Sequence, residues 1–141
     1  MNTERTKALL RLHEGVRPMP YTDTVGKLTI GVGRNLTDRG LLPSEIEFLL
    51  DNDMHLVTMQ CMTFPWFEAL DEVRQAVILD MAFNMGMTVL RTFTNTLNLI
   101  AAGDYHGAAG NMLKSKWATQ VGPRATQLSN MMATGAWPQG V

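Results

Sequence analysis

Residues 13–33, HEGVRPMPYTDTVGKLTIGVG, hold two carboxylic acids and a hydroxyl at spacings that could support acid–base chemistry. Asp23 follows Glu14 by nine residues, and Thr29 follows Asp23 by six. A glycosidase needs one protonated carboxyl group for the leaving oxygen and one ionised carboxylate for a water or the sugar cation. The hydroxyl of Thr29 could hold a water beside Asp23, because a hydroxyl both donates and accepts hydrogen bonds. The stretch therefore predicts a carboxylate-based glycosidase site.

Other chemistries have weaker support. The three histidines are scattered, and HEGVR lacks the second histidine of H-E-x-x-H because Arg17 stands there. GVGRNL starts as G-x-G but follows a hairpin strand instead of opening a βαβ unit. No G-x-S-x-G occurs, and Cys61 has no local signature of a nucleophile. We expect no metal and no cofactor. By spacing alone, which is not a specific signal, ordinary surface carboxylates in a loop are the favoured interpretation of Glu14 and Asp23.

Local signals predict the helix that must position Glu14. TERTKALLRLH, capped by Thr3, reads as a short helix that Gly15 and Pro18 end. Glu14 is then expected at the carboxyl end of this helix. That end of a helix dipole disfavours an added negative charge, which suits the acid role.

A hairpin is predicted for the residues that follow. Tyr21–Asp23 and Leu28–Val32 read as its two strands, joined by a turn around a glycine. Alternation predicts that the apolar side chains of the second strand pack inward while Thr29 faces a ligand. Gly31 and Gly33 would let another part of the chain approach the backbone closely.

Beyond Pro43 the pattern is helical, which sets the fold class at α+β. Pro43 begins a predicted helix over residues 43–62, roughly 25–30 Å long. Further helices are predicted at 70–85, 93–102, 104–113 and from 120 onward. We expect a single domain over 1–141. Its small β-hairpin lobe (about 13–60) is joined by the long helix to a larger helical lobe (about 1–12 and 61–141), with a cleft between them.

Composition narrows the classes of partner. Net charge is −1, and residues 41–80 carry eight acidic residues and one basic residue between more basic flanks. Without a strongly basic face, nucleic-acid binding is not expected. The single Cys61 cannot form an internal disulfide. No signal peptide and no long apolar run are recognisable, so we expect synthesis in a cytoplasm and no stable membrane insertion.

Taken together, the motifs resemble the phage-type lysozymes of glycoside hydrolase family 24. The resemblance rests on EG at 14–15, YTDTVG at 21–26 and TIGVG at 29–33, each at the family spacing. It continues in LDEVRQAVILDMAFNMG, FTNTLNLI, AAGNMLKSKW, PRA and TGAW, and so covers essentially the whole chain. These combined motifs are specific, and they favour the catalytic interpretation of the two carboxylates.

The resemblance implies a role for each residue that matches the family motifs. Glu14 would be the general acid, Asp23 its carboxylate partner, and Thr29 the residue that positions the attacking water of an inverting enzyme. Arg124 would reach from the helical lobe to hold Glu14. Three helical-lobe residues would line the sugar groove. These three are Phe83, Thr96 and Asn111. Asn35 of the small lobe stands where many relatives have Leu, and it could hydrogen-bond to a sugar instead.

Two departures from the family pattern lead to further expectations. Many relatives have His-Leu where this chain has Arg34 and Asn35. The histidine commonly pairs with an aspartate on the long helix, so we expect an ion pair between Arg34 and Asp53, worth at most about 1 kcal/mol if exposed. Only TDRGLLP separates the hairpin from the long helix, so a third strand is expected to be missing.

The implied function is that of an endolysin acting on bacterial peptidoglycan. It would hydrolyse the β-1,4 bond between N-acetylmuramic acid and N-acetylglucosamine during host cell lysis. A monomer is expected, held in the host cytoplasm until a holin releases it to the periplasm and wall. Two alternatives stay open: a lytic transglycosylase, which the presence of Asp23 and Thr29 disfavours, and a non-catalytic glycan-binding module.

Overall fold

Eight α-helices and one three-stranded sheet make up the computed structural model, which describes residues 1–141. In chain order the elements are α1 (Thr3–Glu14), β1 (Arg17–Thr22), β2 (Leu28–Gly31), β3 (Arg34–Asn35), α2 (Pro43–Cys61), α3 (Glu72–Met85), α4 (Met87–Leu90), α5 (Thr94–Ala101), α6 (Tyr105–Leu113), α7 (Lys116–Val121) and α8 (Pro123–Thr134). The α+β class predicted from the sequence is confirmed.

The chain divides into two compact units, Met1–Leu50 and Asp51–Val141. We call them the first unit and the second unit. These limits differ from the lobe limits expected from the sequence, because α1 belongs with the sheet and the boundary falls within α2. The description of 1–141 as a single domain stays a prediction.

Within the first unit, α1 ends at Glu14 as predicted. Its cap is Asn2 and not Thr3, since Asn2 Oδ1 accepts a hydrogen bond of 3.0 Å from the backbone N–H of Arg5. At the other end the N–H of Gly15 donates to the carbonyl of Arg11 at 2.9 Å. The helix therefore places the Glu14 side chain where the chain turns into β1.

The sheet is antiparallel in the order β1-β2-β3. The predicted hairpin is confirmed, but the expectation of a missing third strand is wrong, because β3 pairs with β2. The predicted inward face is also wrong: Leu28 and Val32 are exposed, whereas Thr29 is 4% exposed. Thr29 pairs with Tyr21 on one side and Asn35 on the other. Side chains of cross-strand partners share a face, so these two neighbours enclose Thr29.

In the second unit the helix limits follow local signals. α3 begins after Asp71, whose side chain accepts from the N–H of Arg74, and it ends at Gly86 as predicted. α8 begins with Pro123 at its first position and packs against α3, α6 and α7. All twenty buried apolar residues of the chain lie in this unit. The largest fully buried ones are Ile78, Met81, Leu90, Ile100, Met112 and Met132.

Candidate active site

The carboxyl group of Glu14 lies against the backbone of Gly33. A Cβ built on Gly33 would be 2.9 Å from Oε2 of Glu14 and 3.1 Å from its Cδ, too close for a real side chain. Gly33 also has φ +67°, a backbone conformation that favours glycine. The close approach predicted at this position is confirmed, and the approaching group is the candidate acid. Within the first unit, no basic side chain forms an ion pair with Glu14.

Asp23 is held in the turn between β1 and β2 by backbone donors. Its Oδ1 accepts hydrogen bonds from the N–H groups of Val25 at 3.0 Å and Lys27 at 2.8 Å. The N–H of Asp23 in turn donates to the carbonyl of Lys27 at 2.8 Å. Backbone N–H donors stabilise a negative charge on Oδ1. Oδ2 accepts no hydrogen bond within the first unit and is left for another partner.

Lys27 also orients Thr29. The hydroxyl of Thr29 donates to the carbonyl of Lys27 at 3.0 Å. Because its hydrogen is engaged, the Thr29 oxygen can act only as an acceptor toward a further group. The peptide backbone of Lys27 thus connects Asp23 and Thr29, since both side chains bond to it.

Asn35 has a structural partner in the loop after β3. Its Nδ2 donates to Oδ2 of Asp38, and its Oδ1 accepts from the N–H of Asp38, both at 3.0 Å. One amide hydrogen remains free, so the predicted contact between Asn35 and a sugar stays a prediction.

The ion-pair partner of Arg34 is Glu45, and the expected pair with Asp53 is wrong. Both terminal nitrogens of Arg34 bind the Glu45 carboxylate, Nη1 at 2.6 Å, and Nη1 also donates to the carbonyl of Gly40. The hydrogen bond from Arg34, aided by the N–H of Leu42, lowers the pKa of Glu45 to about 2. The same bond raises the pKa of Arg34. Glu45 lies in the first turn of α2, and its two carboxylate oxygens match the paired N–H groups of a guanidinium.

In the second unit, Thr96 and Asn111 line one cavity of about 250 Å³. The remaining lining is mostly polar as well and includes Asn95, Lys114 and Ser115. Thr96 begins the buried face of α5, while Asn111 comes from the last turn of α6. The structure therefore brings together two of the three helical residues that the resemblance assigned to sugar binding.

Phe83 and Arg124 lie elsewhere in the same unit. Phe83 is 43% exposed and takes no part in the apolar core. Arg124 Nε donates to Oδ1 of Asp80 at 2.8 Å. Asp80 lies one turn before Phe83 on α3, and no local signal identifies it as a partner of Arg124. The expected support of Glu14 by Arg124 stays a prediction.

The structure contains no group of three or more His, Cys, Asp or Glu side chains that could hold a metal ion. None of its helices combines the length and apolar character that crossing a bilayer requires. Burial raises the pKa of the Cys61 thiol to about 11, so this thiol is a packing group at neutral pH.

The fold and the site define a lysozyme-like protein. Two carboxylic acids and a hydroxyl are carried by a helix end and a small sheet, in a chain whose core is helical. The family model described as Phage lysozyme matches residues 11–132. The chain therefore belongs to the phage lysozyme family and is a glycoside hydrolase of the lysozyme type.

Three relatives illustrate the range of this family. The "Probable T4-type lysozyme 1" of Dictyostelium discoideum is 27% identical over 92% of this chain and 94% of that protein. A "SAR-endolysin" of Escherichia phage Mu is 29% identical over 90% of this chain and 74% of its own length. The "Pre-baseplate central spike protein Gp5" of Enterobacteria phage T4 is 26% identical over 90% of this chain, but the match spans 27% of that protein. The family name implies peptidoglycan as the substrate.

Proposed function

We propose that this chain hydrolyses the β-1,4 bond between N-acetylmuramic acid and N-acetylglucosamine in peptidoglycan, with inversion at the anomeric carbon. The observation that carries the proposal is the pair of hydrogen bonds through which Lys27 orients Asp23 and Thr29 together. The space that Gly33 leaves for the carboxyl group of Glu14 supports it further.

In the proposed reaction Glu14 is the general acid. It gives a proton to the glycosidic oxygen as the bond between that oxygen and the anomeric carbon breaks. A water attacks the anomeric carbon from the opposite face and passes its proton to Asp23. Thr29 accepts a hydrogen from this water, because its own hydrogen is bonded to the carbonyl of Lys27. One water is consumed for each bond cleaved, and the product ends in a free reducing sugar.

The second unit supplies candidate contacts to the glycan. Hydroxyl and amide side chains, such as those of Thr96 and Asn111, suit the hydroxyl and acetamido groups of the substrate. An exposed aromatic ring such as Phe83 offers an apolar surface to the face of a sugar ring. We assign these three residues to substrate binding.

The biological setting is proposed from the relatives. Because similar proteins are named endolysins, we propose that this chain acts in host cell lysis. Residence in the host cytoplasm, release by a holin, and a monomeric state are parts of the same proposal. Lysis of cells that express the chain with and without a holin tests the release step. Equal lysis without the holin would contradict it.

Mass spectrometry of fragments released from purified Gram-negative peptidoglycan tests the reaction. Free reducing muramic acid ends, each carrying one added water, are the expected product. Anhydro-muramic ends would identify a lytic transglycosylase and remove the water-positioning roles of Asp23 and Thr29. Absence of fragments, with the protein bound to the wall, would identify a glycan-binding module.

A further inference from the structure

A groove of about 630 Å³ runs along α8 in the second unit, far along the chain from the candidate catalytic residues. One wall is the face of α8 that carries Thr126, Asn130 and Thr134 at intervals of four residues. The other wall is the segment after the helix, which contributes Trp137 and Pro138. A volume of this size lies in the range of small-ligand sites.

Trp137 exposes much of its aromatic surface in this groove. It is 45% exposed, whereas Trp117, in the same unit, is 5% exposed. The indole Nε1 donates to Oε1 of Glu72 at 3.4 Å. Because the polar edge of the ring has this partner, the exposed part of Trp137 is mainly ring carbon, which can lie against an apolar face of a ligand.

The chain reversal that places Trp137 beside α8 is held by Arg74. Its Nε donates to the carbonyl of Met132 at 2.8 Å, and its Nη2 donates to that of Ala133 at 3.1 Å. Gly135, in the left-handed conformation with φ +67°, then reverses the chain. A Cβ on Gly135 would lie 2.8 Å from Nη1 of Arg74, so a larger residue here would displace the guanidinium that holds the reversal. Both walls of the groove are therefore fixed before any ligand arrives.

The polar groups of the groove are uncharged and available. The side chains of Thr126, Gln127 and Asn130 are exposed, and none of them forms a hydrogen bond within the protein. None of the lining side chains is ionisable. A charged ligand would find no counter-ion here, and a purely apolar one would leave the amides and hydroxyl unpaired. A neutral ligand with apolar faces and polar edges, as in a sugar ring, matches both features.

We propose that this groove is a second, non-catalytic binding site for a chain of β-1,4-linked N-acetylated hexosamines. Trp137 supports the face of one sugar, while Gln127 and Asn130 bind its hydroxyl and acetamido groups. The biological part of this inference rests on the proposed function, because the same polymer would occupy both sites. The groove would keep the enzyme on the glycan between cleavage events.

Nuclear magnetic resonance of the full chain carrying Glu14→Gln tests this site directly. The chain has three tryptophans, hence three indole N–H signals, and Trp137→Phe identifies the one that belongs to the groove. Titration with the tetramer of N-acetylglucosamine should shift the Trp137 signal in a saturable manner. A Trp137 signal that stays in place up to millimolar tetramer would overturn the inference, whatever the other signals do.

A matched pair of amide variants sharpens the test. Asn130→Ala removes an amide from the groove, and Asn98→Ala removes an amide of α5 that is also exposed. Asn130→Ala should weaken binding at the Trp137 signal by roughly fivefold to tenfold, the size of one lost hydrogen bond. Asn98→Ala should leave binding unchanged. Equal affinities for the two variants would contradict the assigned contact and the groove site with it.

Turnover of the unmodified chain separates this inference from the proposed reaction. Released reducing ends without a shift of the Trp137 signal would support the proposed hydrolysis and contradict the second site. A shift of the Trp137 signal without any released fragments would contradict the proposed hydrolysis and would still support the glycan site. In the active chain, Asn130→Ala should slow solubilisation of insoluble peptidoglycan while cleavage of short soluble fragments stays unchanged.

Discussion

Different kinds of interaction stabilise the two units of this protein internally. In the first unit Thr29 is the only buried side chain, and the structure depends on a helix end, backbone hydrogen bonds in tight turns, and the ion pair of Arg34 with Glu45. In the second unit twenty buried apolar residues pack together. The candidate carboxylates lie in the unit without an apolar core.

The difference indicates that the candidate catalytic groups and the apolar core that stabilises the fold lie in different units. A carboxylate buried in an apolar core would lose much of its ability to ionise, whereas Asp23 is held by N–H donors at the surface of a turn. The apolar core of the second unit contains neither candidate carboxylate. Substitutions in the two units should therefore affect different measurements.

The largest expected effect is on turnover, from Glu14→Gln in the first unit. Loss of a general acid should lower kcat by roughly 10²–10⁴-fold. The Tm should hardly change, because Glu14 is exposed and contributes nothing to a core. Glu4→Gln, an exposed glutamate at the start of the same helix, is the control and should retain activity. Comparable activity in both variants would contradict the role of Glu14 as the general acid.

A matched pair of leucine truncations tests the contrast in stability. Leu90→Ala removes a fully buried side chain of the second unit and should cost roughly 2–5 kcal/mol of unfolding free energy. Leu12→Ala makes the same chemical change at a residue of α1 that is 77% exposed, and it should cost less than about 0.5 kcal/mol. Urea denaturation of both variants provides the measurement. Similar losses of unfolding free energy in the two variants would contradict the difference in core packing between the units.

Gly33→Ala tests whether the first unit positions Glu14 sterically. Gly31 and Gly33 have φ +69° and +67°, so alanine at either position should cost roughly 1–2 kcal/mol of backbone strain. Only at Gly33 does the added Cβ meet Oε2 of Glu14; nothing lies within 4 Å at Gly31. Gly33→Ala should therefore lower kcat by at least about tenfold relative to Gly31→Ala, while both have similar Tm. Equal kcat values would contradict positioning by Gly33.

The smallest expected effect concerns acid stability and the Arg34–Glu45 pair. Folding lowers the pKa of Glu45 from 4.5 to about 2, so its stabilising contribution is fully present above pH 4.5 and is lost as the pH falls toward 2. Glu45→Gln should flatten the pH dependence of the Tm in this window. Glu47→Gln, on the same helix and outside any ion pair, should leave that dependence as it was. Identical profiles for the two variants would mean that the pair has no such role.

Much of the fold was predictable from short-range signals. Gly15 after α1, Pro43 at the start of α2 and Gly86 after α3 end or begin helices as expected, since each acts within about one helical turn. The hairpin was also predicted, but the third strand was not. β3 contains two residues, too few to show an alternating pattern.

The candidate site was predicted in its residue types and less well in its contacts. The combined family motifs selected Glu14, Asp23 and Thr29 as candidates, and the glycines indicated a close approach. The burial of Thr29 and the pairing of Arg34 with Glu45 were missed. The latter joins residues eleven positions apart, and nothing in the local sequence distinguishes Glu45 from the other acidic residues of α2.

By itself the sequence indicated the family, several helix ends and the two candidate carboxylates, because these depend on residue type and on neighbours within a few positions. It did not indicate α4 or the break at Gly122 that separates α7 from α8. Only the tertiary structure decided that Arg124 binds Asp80, that Gly33 faces Glu14, and that Trp137 lies beside α8. These contacts join residues 19 to 44 positions apart or depend on a reversal of the chain. Such pairings are selected by the packing of whole elements, and no short stretch of sequence encodes them.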